Sequence, residues 1–172
     1  TSGKYYVDQK HVGDTISLGI FRDGKNITAD ISLVRKANDY RLVNLKEFDR
    51  KPRYLIYGGI VFTPLTINLL ERWGKNNWHQ KAPFDYMTHL DTPVSQGKTE
   101  IVVALKVLPA EVNDGYHGYS HLVMKTVNGQ EFTNFAEFTK LLEENDLALV
   151  TFGSARDLQI VVDVSEHEKA LP

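Results

Sequence analysis

Alternation of apolar and polar positions opens the readable part of the chain. Thr15-Ile16-Ser17-Leu18-Gly19-Ile20-Phe21 places apolar residues at alternate positions, and Ile27, Ala29, Ile31 and Leu33 do so again after Arg22-Asp23-Gly24-Lys25. Period-two alternation marks a half-buried strand. Asp-Gly between two such runs marks a tight hairpin turn. A lone two-stranded hairpin is marginal in water. Ile16, Leu18, Ile20, Ile31 and Leu33 are therefore expected to dock on a second domain or to exchange with another copy of the chain. Thr1-Ser2-Gly3 carry no functional weight.

Residues 36–52 are rich in Lys, Arg, Asn and Asp but include Leu42, Val43, Leu45 and Phe48. They read as a linker that packs against something, between a partial first domain (1–35) and a second domain (53–172). In the second domain, Tyr54–Tyr57 and Ile60–Phe62 are strand-like runs split by Gly58-Gly59. Thr66 is placed to cap a helix carrying Ile67, Leu70 and Trp73. Residues 75–99 are turn-rich and aromatic. Glu100–Leu108 and His121–Val127 read as strands, with Asn128-Gly129 as a tight turn. Asn134 is placed to cap a second helix whose apolar face is Phe132, Phe135, Phe138 and Leu142. Leu147–Phe152 and Leu158–Val164 pair as a closing hairpin. The pattern predicts an α+β domain with two helices, preceded by a two-stranded fragment.

Composition narrows the function classes. The 172 residues are 42% hydrophobic, enough for a core, and carry 20 basic against 22 acidic side chains. That balance gives no basic face for nucleic acid. No apolar run approaches the roughly 20 residues that span a bilayer. With no cysteine, disulfides, zinc fingers and thiol chemistry are excluded. The lack of thiols fits an oxidising compartment such as a periplasm.

No constellation for catalysis emerges. Ser2, Ser17, Ser32, Ser95, Ser120, Ser154 and Ser165 all lie outside a nucleophile-elbow context, and a serine nucleophile needs both a base and an oxyanion hole. His89 and Asp91 fall in a Thr- and Pro-containing loop. His117 and His121, near Glu111 and Asp114, are either a metal set or ordinary histidines; i,i+4 is a ligand spacing only on a helix, and Gly115 and Gly118 argue against one. Trp73, Trp78, Phe84 and Tyr86 are either a ligand platform or the roof of a small core. Gly58-Gly59 is either a nest of backbone donors suited to a carboxylate or a glycine bulge in a strand. If the strand after it lies at a sheet edge, an extended peptide can add there, with Phe135, Phe138 and Leu142 as the other wall. No catalytic residue, metal ligand or cofactor is assigned.

The order of these motifs carries a resemblance. Tyr57-Gly58-Gly59-Ile60-Val61-Phe62, then Pro64-Leu65 and a helix, Val107-Leu108-Pro109, Asn113-Asp114-Gly115-Tyr116, and Val127-Asn128-Gly129 before a second helix resembles the second PDZ domain of Deg/HtrA-type (protease Do-like) serine proteases. Asp114 departs from the family's Asn-Ile-Gly-Tyr. The segment Gln9–Lys25 and its following strand are similar to the closing half of the first PDZ domain. The resemblance implies a PDZ-like small β-barrel or sandwich and a C-terminal piece of a protease whose trypsin-like domain lies elsewhere on the same polypeptide. It implies a non-catalytic, peptide-binding, oligomerising and regulatory region of an endopeptidase in protein quality control. Tyr57, Gly58, Gly59, Ile60, Val61 and Phe62 would be the carboxylate loop and peptide-pairing strand, with Lys51 and Arg53 just before it. Phe135, Phe138 and Leu142 would complete the groove. Implied partners are a peptide or an internal chain segment, the protease domain and further copies in a homo-oligomer. The location would be periplasmic or secreted in a bacterium, organellar in a plant. Inserted residues 74–99 are a candidate to block the groove, which would leave a structural assembly module. A small metal-binding domain is the remaining alternative.

Overall fold

A computed structural model describes residues 6–7, 9–34, 41–43, 46, 48–49, 51–94 and 97–165. Thr1–Gly3, Leu45, Ser95 and linker positions 36–40, 44, 47 and 50 lie outside the described residues. The chain divides into two compact units, Thr1–Tyr40 and Arg41–Pro172.

In the first unit, β1 (Thr15–Arg22) and β2 (Lys25–Ser32) pair antiparallel. Asp23 (φ 54°) and Gly24 (φ 74°) both take the left-handed conformation, which matches the turn to the natural twist of the strands. Ile16 faces Ile31, Leu18 faces Ala29 and Ile20 faces Ile27, so one side of the hairpin is apolar as the alternation predicts. Leu18, Ile20, Ile27 and Ile31 are exposed.

The second unit is built on one antiparallel sheet in the order β3-β4-β5-β6-β8-β9, with β7 also paired to β6. The strands are β3 (Leu55–Tyr57), β4 (Ile60–Pro64), β5 (Val102–Val107), β6 (Ser120–Val127), β7 (Gln130–Glu131), β8 (Leu149–Ser154) and β9 (Gln159–Asp163). The sheet path is open rather than closed into a barrel. β6 bends it: His121 has φ 59°, and the register slips between Met124 and Thr126, so β6 joins β5 through one half and β8 through the other.

Side chains leave a strand to opposite faces in turn, and β5 uses both. Val102 and Ala104 enter a core with Phe62, Phe138, Phe152 and Leu142. Ile101 and Val103 enter a second core with Leu65, Leu70 and Tyr86. Burial on both faces explains why residues 101–104 read as an unbroken apolar run. Helix α4 (Phe135–Glu143) covers the first face. Asn134 caps it, its Oδ1 accepting from Glu137 N at 2.8 Å.

The second face is covered by residues 65–94. Thr66 caps α1 (Ile67–Leu70) as expected, and a tighter turn, Glu71–Trp73, continues it. The stretch read as turns holds two more helices, α2 (Trp78–Lys81) and α3 (Phe84–Met87). Each is a single turn, too short for a helical period to show in sequence. Leu42 and Val43 are buried in the same core, and Arg41 bridges to Pro93. The described 41–43 part of the expected linker thus belongs to the second unit.

Candidate functional site

The Gly58-Gly59 pair forms the two-residue turn of the β3–β4 hairpin, with φ of 53° and 74°. Close contacts on both sides call for glycine here. A Cβ on Gly58 would lie 2.9 Å from Val162 Cγ2, and one on Gly59 would collide with Asn113 Nδ2 and lie 2.9 Å from Leu108 O. The turn is therefore not a bulge. Neither glycine amide has a hydrogen-bond acceptor among the described residues.

The carbonyls of the turn are tied down by one side chain. Asn113 is fully buried. Its Nδ2 donates to Gly58 O (2.7 Å) and Leu108 O (2.9 Å). Its Oδ1 accepts from Ala110 N (3.1 Å) and lies 3.0 Å from His117 Nε2. Leu108 N donates to Gly59 O at 2.8 Å. All four hydrogen-bonding positions of the amide are used, so the turn, the end of β5 and the 111–113 turn are held as one piece. In sequence, a polar side chain just after an apolar strand and a proline does not reveal whether it is buried.

β4 is not an edge. Ile60, Val61 and Phe62 pair with Tyr57, Ile56 and Leu55 of β3 on one side, and the strand pairs with β5 on the other. Thr63 Oγ1 donates to Arg53 O at 2.8 Å, which carries the flanking chain beyond β3. Arg53 then pairs with Glu100, and its guanidinium stands 5.8 Å from the centroid of the Phe135 ring. Glu100 Oε2 also accepts from Phe135 N at 2.9 Å, placing a negative charge at the start of α4 where the helix dipole favours it. Glu100 thereby links the segment before β3 to the helix, a role its position at the start of an apolar strand does not announce. Lys51 is exposed.

Phe135, Phe138 and Leu142 all point into the first core. Phe138 sits 4.8 Å from Phe62 between ring centroids, and Phe62 lies 4.8 Å from Phe152. These side chains fasten α4 to the sheet. Tyr57 packs edge-on to Phe152 at 6.2 Å; burial raises the pKa of its hydroxyl and a hydrogen bond with Asn145 partly offsets that.

The remaining candidates separate. His117 serves Asn113, whereas His121 packs against Trp73 (5.2 Å) and Tyr86 (6.1 Å). Trp73, Trp78 and Tyr86 belong to the second core, while Phe84 is exposed. Ser154 Oγ accepts from Arg156 N and Leu158 N and so shapes the β8–β9 turn. Among the described residues there is no cluster of three His, Asp or Glu that could hold a metal ion, and no helix long and apolar enough to cross a membrane.

A family model described as a PDZ domain matches residues 43–172. The chain belongs to the PDZ-domain family. Its relatives are Do-like and DegP-type serine proteases. It is 28% identical over 141 residues to "Protease Do-like 2, chloroplastic" of Arabidopsis thaliana, covering 81% of this chain and 22% of that protein. It is 26% identical over 140 residues to "Serine protease DegP homolog" of Plasmodium falciparum, covering 81% of this chain and 15% of that protein. The chain spans between 15% and 27% of the length of the curated relatives it matches. The PDZ fold is mixed α+β with an open sheet. Of the inserted residues 74–99, Trp78, Ala82, Tyr86, Leu90 and Val94 pack in the second core, on the sheet face opposite α4, whereas Thr99 N donates to Thr133 O at 2.9 Å, close to the start of α4.

Proposed function

We propose that this PDZ region is a non-catalytic regulatory and assembly module of a Deg/HtrA-type serine endopeptidase in protein quality control, with its peptide groove occupied by its own residues 53–57. The protease itself is assigned to the parent polypeptide because the relatives are named as proteases. The observation that carries the self-occupied reading is the pairing of β3 along Ile60–Phe62, the edge a foreign peptide would need. The Arg53–Glu100–Phe135 contact is the latch that holds this segment at α4.

A second reading, capture of a foreign C-terminus, is favoured by the two glycine amides that lack acceptors. They are the donors a carboxylate would use, and the guest would have to displace residues 53–57.

Titration with a panel of free C-terminal peptides separates the two. The self-occupied module binds no panel member below millimolar concentration, and Arg53→Ala lets at least one bind tenfold or more tighter. Micromolar binding to the unaltered chain, with shifts centred on Gly58–Phe62, establishes the capture reading instead.

A further inference from the structure

On the sheet face opposite α4, the second unit has a cleft of about 610 Å³. Its apolar lining is Val43, Ile67, Trp78 and Leu90, and its polar lining is Arg41, Lys46, Glu71 and Asp91. We propose that this cleft is a second polypeptide-binding site, taking an uncharged extended segment that seats one large apolar side chain against Trp78.

The charge pattern selects that guest. Lys46 Nζ donates to both oxygens of Glu71, at 2.8 and 2.7 Å, and Arg41 Nη1 lies 3.4 Å from Asp91. Two cations and two anions cancel, so neither an anion nor a cation is drawn in. A charged guest meets a like charge in either ion pair. A peptide backbone suits it better, because its C=O groups match the Arg41 and Lys46 donors and its N–H groups match the carboxylates. The Arg41–Asp91 pair is open to such exchange: Asp91 is almost fully exposed, and exposed pairs at this distance are weak.

The lining decides the rest. Pockets that hold organic guests are mainly apolar, with a few placed polar groups, and range over about 300–1,000 Å³. Trp78 is only half-buried, packs against the second core, stacks edge-on with exposed His79, and its indole N–H has no acceptor among the described residues. A half-buried tryptophan that lines a cleft is the kind of residue that anchors a peptide contact. The polypeptide class rests on the reading that this module serves a protease, which brings unfolded chains to it.

The test uses the full chain and peptides capped at both ends, so that no carboxylate reaches the Gly58-Gly59 turn. In a Trp73→Phe background, Trp78 fluorescence reports the cleft. An acetylated, amidated decapeptide with a central Phe should saturate the signal. Replacing that Phe by Ser, or flanking it with Asp or Lys, should weaken binding tenfold or more. Trp78→Ala and, separately, Ile67→Gln should each weaken it tenfold or more, with folding checked by amide NMR, while Arg53→Ala leaves it unchanged. No saturation, an affinity indifferent to Trp78→Ala and Ile67→Gln, or one that follows Arg53→Ala instead overturns the proposal, without bearing on the self-occupied groove.

Discussion

Asn113 Nδ2 donates to the carbonyl of Gly58 at 2.7 Å, joining positions 55 residues apart in sequence. The same Nδ2 also donates to Leu108 O, and Oδ1 of that side chain accepts from Ala110 N.

Asn113→Ala should therefore destabilise the second unit by about 2–4 kcal/mol, because buried groups left unpaired cost roughly 1–3 kcal/mol apiece. Denaturant unfolding measures this. A change under about 0.5 kcal/mol would mean that water replaces the amide without loss.

Gly59→Val should cost at least about 1–3 kcal/mol from the left-handed backbone, and more from the collision with Asn113. Gly115→Ala is the control: its φ is 83°, but a Cβ there meets nothing within 4 Å. Thermal unfolding should rank Gly59→Val well below Gly115→Ala, and equal losses would remove Asn113 from the argument.

Tyr86 Oη is buried with no hydrogen-bond partner among the described residues, and burial pushes its pKa well above the usual tyrosine value. Deleting an unsatisfied hydroxyl removes a desolvation cost without opening a large cavity. Tyr86→Phe should be neutral or stabilise by about 1 kcal/mol, and a loss of more than about 1 kcal/mol would show that a bridging water satisfies the phenol.

Burial between Trp73 and Tyr86 lowers the pKa of His121 below 6.5. His89 is lowered as well, by burial first and then by Lys98, against a raising effect of Asp85. When a base has a lower pKa folded than unfolded, protons bind the unfolded chain first. Stability is then full above about pH 6.5 and falls as pH drops through that value towards the folded pKa. Unfolding curves between pH 7.5 and 5 should show this slope, and His121→Asn with His89→Asn should flatten it. An unchanged slope in the double variant would assign it to other groups.

Much of this fold was legible because its signals are local. Alternation located β1 and β2, Asp23-Gly24 located their turn, and Thr66 and Asn134 announced their helices by their capping chemistry. The motif order from Tyr57 to Gly129 then pointed to the PDZ family. What stayed hidden depends on distant partners. The two single-turn helices within 75–99 are held by the second core rather than by their own periodicity. Glu100 and Asn113 look like ordinary polar positions until residues 35 and 55 places away come alongside. Phe135, Phe138 and Leu142 share one apolar face by their spacing, and that face lies in the first core. Whether β4 was an edge turned on β3, a three-residue strand too short to declare its partner.

The self-occupied groove is the central claim, and amide hydrogen exchange of the peptide-free chain tests it most directly. In a hairpin with a two-residue turn, the flanking pair Tyr57–Ile60 and the pair Leu55–Phe62 are the hydrogen-bonded ones. Slow exchange at the Leu55, Tyr57, Ile60 and Phe62 amides, made faster by Arg53→Ala, is the predicted result. Unprotected exchange at Ile60 and Phe62 that becomes slow only when a C-terminal peptide is added would show an open groove and contradict the account.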